Sequence, residues 1–195
     1  MTILLEKEAE DFLEKNKFSV VNRTFIKNKS QLSKIKLSFP WVMKAQSKSI
    51  IHKKNLGGVI LNIEDHDQAT KAFIKLSKLK GFQGAVIQET KFGQELILGL
   101  KQTKDFGLTI LLGAGGTNVE KKKDITFRVL PIKKHDAKSM IGDLKIEIIN
   151  EPEVIKNLIR LNQLGTKFPK IQELDINPII LTKYEAIIVD ARIIK

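Results

Sequence analysis

Cysteine is absent from the 195 residues. That excludes disulfides, thiolate metal sites and cysteine nucleophiles. Aromatic platforms are scarce too, with one Trp and one Tyr, which leaves little for stacking bases. Arginine is rare: of 34 basic residues only Arg23, Arg128, Arg160 and Arg192 are arginines. The net charge of +12 therefore comes from scattered lysines, and it reads as a solvated surface rather than a nucleic-acid stripe. No apolar run approaches the roughly 20 residues that a membrane span needs. The start is acidic just after Ile3 to Leu5 and lacks the basic, then long apolar, pattern of a signal peptide. The expectation is a cytoplasmic chain that binds neither nucleic acid nor membrane. Hydrophobic residues at 42% and charged residues at 29% are enough for one large domain or two lobes.

Helical and strand patterns alternate along the chain. Glu6 to Lys15 has Ala9, Phe12 and Leu13 on one face and predicts a helix. Ser19 to Ile26 is strand-like, and Ser30 to Leu37 predicts a short helix. Trp41 to Ala45 and Val59 to Ile63 are strands on either side of a polar loop, Gln46 to Gly57. Asp65 to Leu79 predicts an amphipathic helix with Ala69, Ala72, Phe73 and Leu76 inward. Ala85 to Glu89 and Glu95 to Leu100 read as strands around a turn at Phe92 and Gly93. Leu108 to Leu112 leads into Gly113-Ala114-Gly115-Gly116, and Ile125 to Leu130 is a further strand. Helices are predicted over Lys133 to Leu144 and Pro152 to Leu164, and strands over Ile171 to Ile176, Ile179 to Leu181 and Ala186 to Ile194. The intermixing implies an α+β or α/β fold.

Several residues could carry chemistry. Lys44 is flanked by apolar residues, so it either snorkels or pairs with a buried anion such as a phosphate. His52 precedes Gly57 and Gly58 in the polar loop. A neutral imidazole can accept a phosphoryl group and paired glycines let backbone N–H groups approach phosphate, although by itself a loop histidine among lysines is more often a surface residue. Glu89 and Glu95 sit at strand ends, where carboxylates bind ribose hydroxyls or simply face water. The turn at Gly113 to Gly116 lacks the Gly-Lys-Ser/Thr ending of a P-loop, and its spacing fits a tight turn as well as a phosphate nest. Asp175 and Asn177 alternate with apolar residues and so share a strand face. Asp190 follows Ile187 to Val189, in a strand that could be their hairpin partner. Two or three oxygen ligands on adjacent strands suit Mg2+, which takes few protein ligands when it binds nucleotide phosphates.

Together these residues resemble the ATP-grasp beta subunit of ADP-forming acetyl-CoA (acyl-CoA) synthetases and, more distantly, the beta subunit of succinyl-CoA synthetase. The marks run from Pro40 to Ala45, from His52 to Val59 and from Glu95 to Gly99, then through Phe106, Gly107, Gly115 to Glu120 and Asp124 to Pro131. They end at Glu173 to Pro178 and Asp190 to Ile193. The resemblance implies an α+β ATP-grasp fold of two lobes gripping the nucleotide, the first over 17–89 and the second over 1–16 and 90–195. It implies that Lys44, with Gly57 and Gly58, meets ATP phosphates, that Glu89 and Glu95 lie by adenine and ribose, and that Asn177 and Asp190 hold Mg2+. It further implies that His52 is a phosphorylated carrier and that Asp175 steadies the phosphohistidine of a CoA-binding alpha subunit.

The implied activity is an acid–CoA ligase (ADP-forming) that works in a hetero-oligomer and is inactive alone, because the chain carries no CoA-binding domain. Two other readings stand beside it. One is a different ATP-grasp acid–CoA ligase subunit of the succinyl-CoA synthetase kind, against which His52 argues. The other is a non-catalytic nucleotide-binding regulatory module, against which the joint presence of Lys44, His52, Asn177 and Asp190 argues.

Overall fold

The computed structural model describes residues 2–4, 6–47, 57–116 and 124–195. The chain divides into two compact units, Val21–Thr90 and Met1–Val20 with Lys91–Lys195. No helix among the described residues is long and apolar enough to cross a membrane.

The smaller unit is a four-stranded antiparallel sheet built from β2 (Arg23–Ile26), β3 (Trp41–Ser47), β4 (Val59–Ile63) and β5 (Phe82–Glu89), in the order β2-β5-β3-β4. Alternation along β3 sends Trp41, Met43 and Ala45 into a core shared with Ala69, Ala72, Phe73 and Leu76 of helix α2 (His66–Ser77). The Asp65 side chain caps that helix by accepting from Gln68 N at 2.7 Å, an interaction worth about 1 kcal/mol. A 3-10 turn, Lys29–Lys34, adds Leu32 to the same core.

The larger unit is a seven-stranded sheet. Its strands are β1 (Ile3–Leu4), β6 (Gln94–Thr103), β7 (Gly107–Ala114), β8 (Ile125–Val129), β9 (Glu173–Leu181), β10 (Ala186–Ile188) and β11 (Ala191–Ile194). Neighbours follow the order β1-β11-β9-β6-β7-β8, with β10 on β9, and every pairing is antiparallel. Helices α1 (Glu6–Lys15), α3 (Lys134–Gly142) and α4 (Glu151–Lys167) close one core with the inward residues of the sheet. Leu13, Leu98, Leu112, Leu158 and Ile176 are all buried in it. Each such side chain contributes about 1.5–3 kcal/mol by leaving water.

Three expectations need correcting. The strands at Ala85 to Glu89 and Glu95 to Leu100 do not form a hairpin: β5 lies in the smaller sheet and β6 in the larger one, so the chain passes from one unit to the other between Thr90 and Lys91. The helix expected over Ser30 to Leu37 is a 3-10 turn that stops at Lys34. The strand expected from Ser19 forms only at Arg23, and before it Val20 makes an isolated bridge to Ile188.

Candidate active site

In the smaller unit, Lys44 lies opposite Val86 on β5 and Val59 on β4. Its parity is opposite to that of Trp41 and Met43, so it stands on the sheet face away from α2, where it is 6% exposed. Gln88 shares that face and is 2% exposed. Gly58 joins them through its carbonyl, which accepts from Ala45 N at 2.8 Å, and Gly57 holds a φ of 67° that glycine adopts without strain. The sequence-predicted Lys44, Gly57 and Gly58 are thus brought to one end of the β3–β4 ladder. Glu89 is not on that face. It pairs with Trp41, and its carboxylate accepts from Ser38 N at 3.4 Å. Gln88 received no role from the sequence; that it, rather than Glu89, shares a face with Lys44 follows only once the Lys44–Val86 pairing is known. His52 lies outside the described residues.

In the larger unit, Glu95 starts β6 against the glycine turn. Gly115 N donates to Glu95 O at 2.8 Å, and the Glu95 Oε2 atom lies 3.7 Å from where a side chain on Gly116 would begin. A Cβ at position 115 would stand 2.8 Å from the Glu95 carbonyl carbon, so only glycine fits there. Gly115→Ala should therefore cost about 1–3 kcal/mol of stability, whereas Gly142→Ala, with open space around it, should be neutral or gain up to about 1 kcal/mol. Urea unfolding of both variants checks this. Equal stabilities would mean that the turn yields freely.

β9 carries Glu173, Asp175 and Asn177 on the sheet face away from the helices. β10 and β11 both run antiparallel to β9, and Asp190 sits at the break between them. Its carbonyl accepts from Asn177 N at 3.1 Å, which sets the backbones of the two residues side by side. Among the described residues no group of three or more His, Cys, Asp or Glu could hold a metal. A pair of oxygen donors with no carboxylate cage fits Mg2+ that draws its remaining ligands from phosphate and water.

Asp175 has Arg192 opposite it on β11 and Gly99 opposite it on β6. Burial pushes its carboxyl above the usual range, the Arg192 charge works against that rise and Glu173 adds to it. Glu173 moves the other way. The hydrogen bond from Lys101 is the first cause that holds it low, with further help from Arg192. Arg192 Nη2 donates to Glu173 Oε1 at 2.6 Å, and Lys101 pairs with the other carboxylate oxygen. Neither Glu173 nor Arg192 received a separate role from the sequence, although two-residue spacing from Asp175 and Asp190 would have placed each near the site.

A family model described as an ATP-grasp domain matches residues 1–194. The chain belongs to the ATP-grasp domain family, and its fold is the ATP-grasp fold. It is 32% identical to acetate–CoA ligase (ADP-forming) II of Archaeoglobus fulgidus, over 98% of this chain but only 30% of that protein. It is also 32% identical to acetate–CoA ligase (ADP-forming) I subunit beta of Pyrococcus furiosus, over 98% of this chain and 91% of that one. A structure of the dinucleotide forming acetyl-coenzyme A synthetase 1 of Ca. Korarchaeum cryptofilum, in complex with coenzyme A and Ca-AMPCP, superposes with a TM-score of 0.90 at 32% identity, covering 98% of this chain and 93% of that chain. Another structure of that enzyme holds coenzyme A and Mg-AMPPCP, with a phosphohistidine segment pointing towards the nucleotide binding site.

Proposed function

We propose that this chain is the nucleotide-binding subunit of an ADP-forming acyl-CoA synthetase, which converts acyl-CoA, ADP and phosphate to acid, ATP and CoA together with a CoA-binding alpha subunit. The observation that carries this reading is the match to the Pyrococcus furiosus beta subunit across nearly the full length of both chains. We read the two units as the two ATP-grasp lobes and the cytoplasm as the place of action.

Lys44 stands buried on the sheet face away from α2 and serves the nucleotide phosphates. Glu95, against the Gly115 turn, serves the ribose side. Glu89 acts from the strand end beside Trp41 rather than from the Lys44 face. Asn177 and Asp190 hold Mg2+, which when bound offsets charge on the transferring phosphoryl group. His52 receives the phosphoryl group from the partner's histidine and hands it to ADP. A carrier is required because phosphoryl transfer needs close in-line contact, which two separated sites cannot both supply. Asp175 offers a carboxylate to the N–H of the incoming imidazole.

Calorimetry of the isolated chain with ADP and ATP, with Mg2+ and with EDTA, tests the nucleotide part. Binding that strengthens with Mg2+ is expected. No heat at millimolar nucleotide would remove the proposal.

A further inference from the structure

Arg192 and Asp175 are cross-strand partners on the outer face of the larger sheet. An arginine so placed ordinarily closes onto the carboxylate with two parallel hydrogen bonds. Here it does not. Its Nη2 donates to Glu173 Oε1 at 2.6 Å, two residues away along the same strand. Lys101, opposite Glu173 on β6, takes the second oxygen, so each Glu173 oxygen is held by its own cation. Asp175 makes no hydrogen bond or ion pair with any described residue. Arg192 is still near enough for its charge to act on Asp175, against the effect of burial.

A partly buried carboxylate without a donor is costly, and a guanidinium on the neighbouring strand is the obvious group to satisfy it. The group that engages that guanidinium instead is the Glu173 carboxylate. We propose that Glu173, braced by Lys101, is a positioning residue that holds the Arg192 guanidinium clear of Asp175 and so keeps this carboxylate open to the imidazole N–H of an incoming histidine. The inference rests on the reading of Asp175 given under the proposed function. Arg192 lends the site its field while its hydrogen-bond donors are spent on Glu173. Without Glu173 the same arginine becomes an internal competitor for the carboxylate that the histidine must reach.

The test uses the assembled two-subunit enzyme and follows ATP formation from acetyl-CoA, phosphate and ADP. Glu173→Gln should lower turnover about tenfold or more, the worth of one charge-assisted hydrogen bond, while the KM for ADP stays unchanged. Adding Arg192→Gln to Glu173→Gln should recover most of the lost rate, because the competitor is gone. A glutamate that only braces the sheet would give a double variant no better than the single one, and that result overturns the inference. Lys101 is 60% exposed, so Lys101→Ala is a second probe that should fold. It should show a smaller loss, again reversed by Arg192→Gln. If Glu173→Gln fails to fold and Lys101→Ala runs at the parent rate, the inference also falls. Asp175→Asn separates the two claims. Parent-like activity there removes the reading of Asp175 itself. An impaired Asp175→Asn beside an unimpaired Glu173→Gln removes only the positioning role.

Discussion

In the assembled enzyme, His52→Ala should bring net ATP formation from acyl-CoA, phosphate and ADP below about one-thousandth of the parent rate, because the proposed phosphoryl carrier is gone. The reason is chemical. Neutral imidazole is a nucleophile near pH 7 and leaves readily once phosphorylated. The variant should still bind Mg-ADP as the parent does, and acyl phosphate should still form on the partner subunit. Incubation with labelled phosphate and acetyl-CoA, followed by alkaline gel separation of the subunits, reads the carrier directly. Label on the partner alone is the expected pattern for the variant, and label on both subunits for the parent. Full ATP synthesis by the variant would mean that phosphate travels by another route.

Asp190→Ala should weaken Mg2+-dependent nucleotide binding by at least about tenfold, because the proposed Mg2+ site, with few protein ligands, loses its anionic one. The fold should survive the change. The contact that ties Asp190 to Asn177 runs through its backbone carbonyl, which alanine keeps. Nucleotide affinity measured in EDTA should be unchanged, and Asn177→Ala, which removes a neutral ligand, should cost less than Asp190→Ala. Calorimetry at fixed ADP with increasing Mg2+ separates the terms. An Asp190→Ala chain that keeps the parent's response to Mg2+ would place the metal elsewhere.

Local pattern was legible where one face of an element is apolar and the other is not. Helix α1 and strand β4 have the bounds that their periodicity predicts. The shared face of Asp175 and Asn177 was legible for the same reason, since period-two alternation assigns a face without knowledge of the partner strand, and Lys44 stood out by its apolar flanks. Pairing was not legible. Nothing in Phe92 or Gly93 says that the strands on either side join different sheets, because a turn signal encodes a change of direction and not a destination. The face of Glu89 depends on its register with Trp41, which is a non-local fact. The competition between Glu173 and Asp175 for Arg192 needs β9 and β11 side by side, with Lys101 arriving from β6, more than 70 residues earlier in the chain.

The two units also differ in when they can exist. The smaller one is a single stretch, Val21–Thr90, and all its strand pairings are available once those residues have been made. The larger one is closed by β1 against β11, where Thr2 N donates to Lys195 O at 2.7 Å and Lys195 N to Thr2 O at 2.9 Å. Its first strand must therefore wait on the ribosome for its last. During synthesis the smaller unit can settle early, while α1 and β1 keep their apolar residues exposed until β11 emerges. The Asn177–Asp190 pair and the Arg192–Glu173 link both need β11 or the residue just before it, so the candidate metal site is assembled only after β11 has been made.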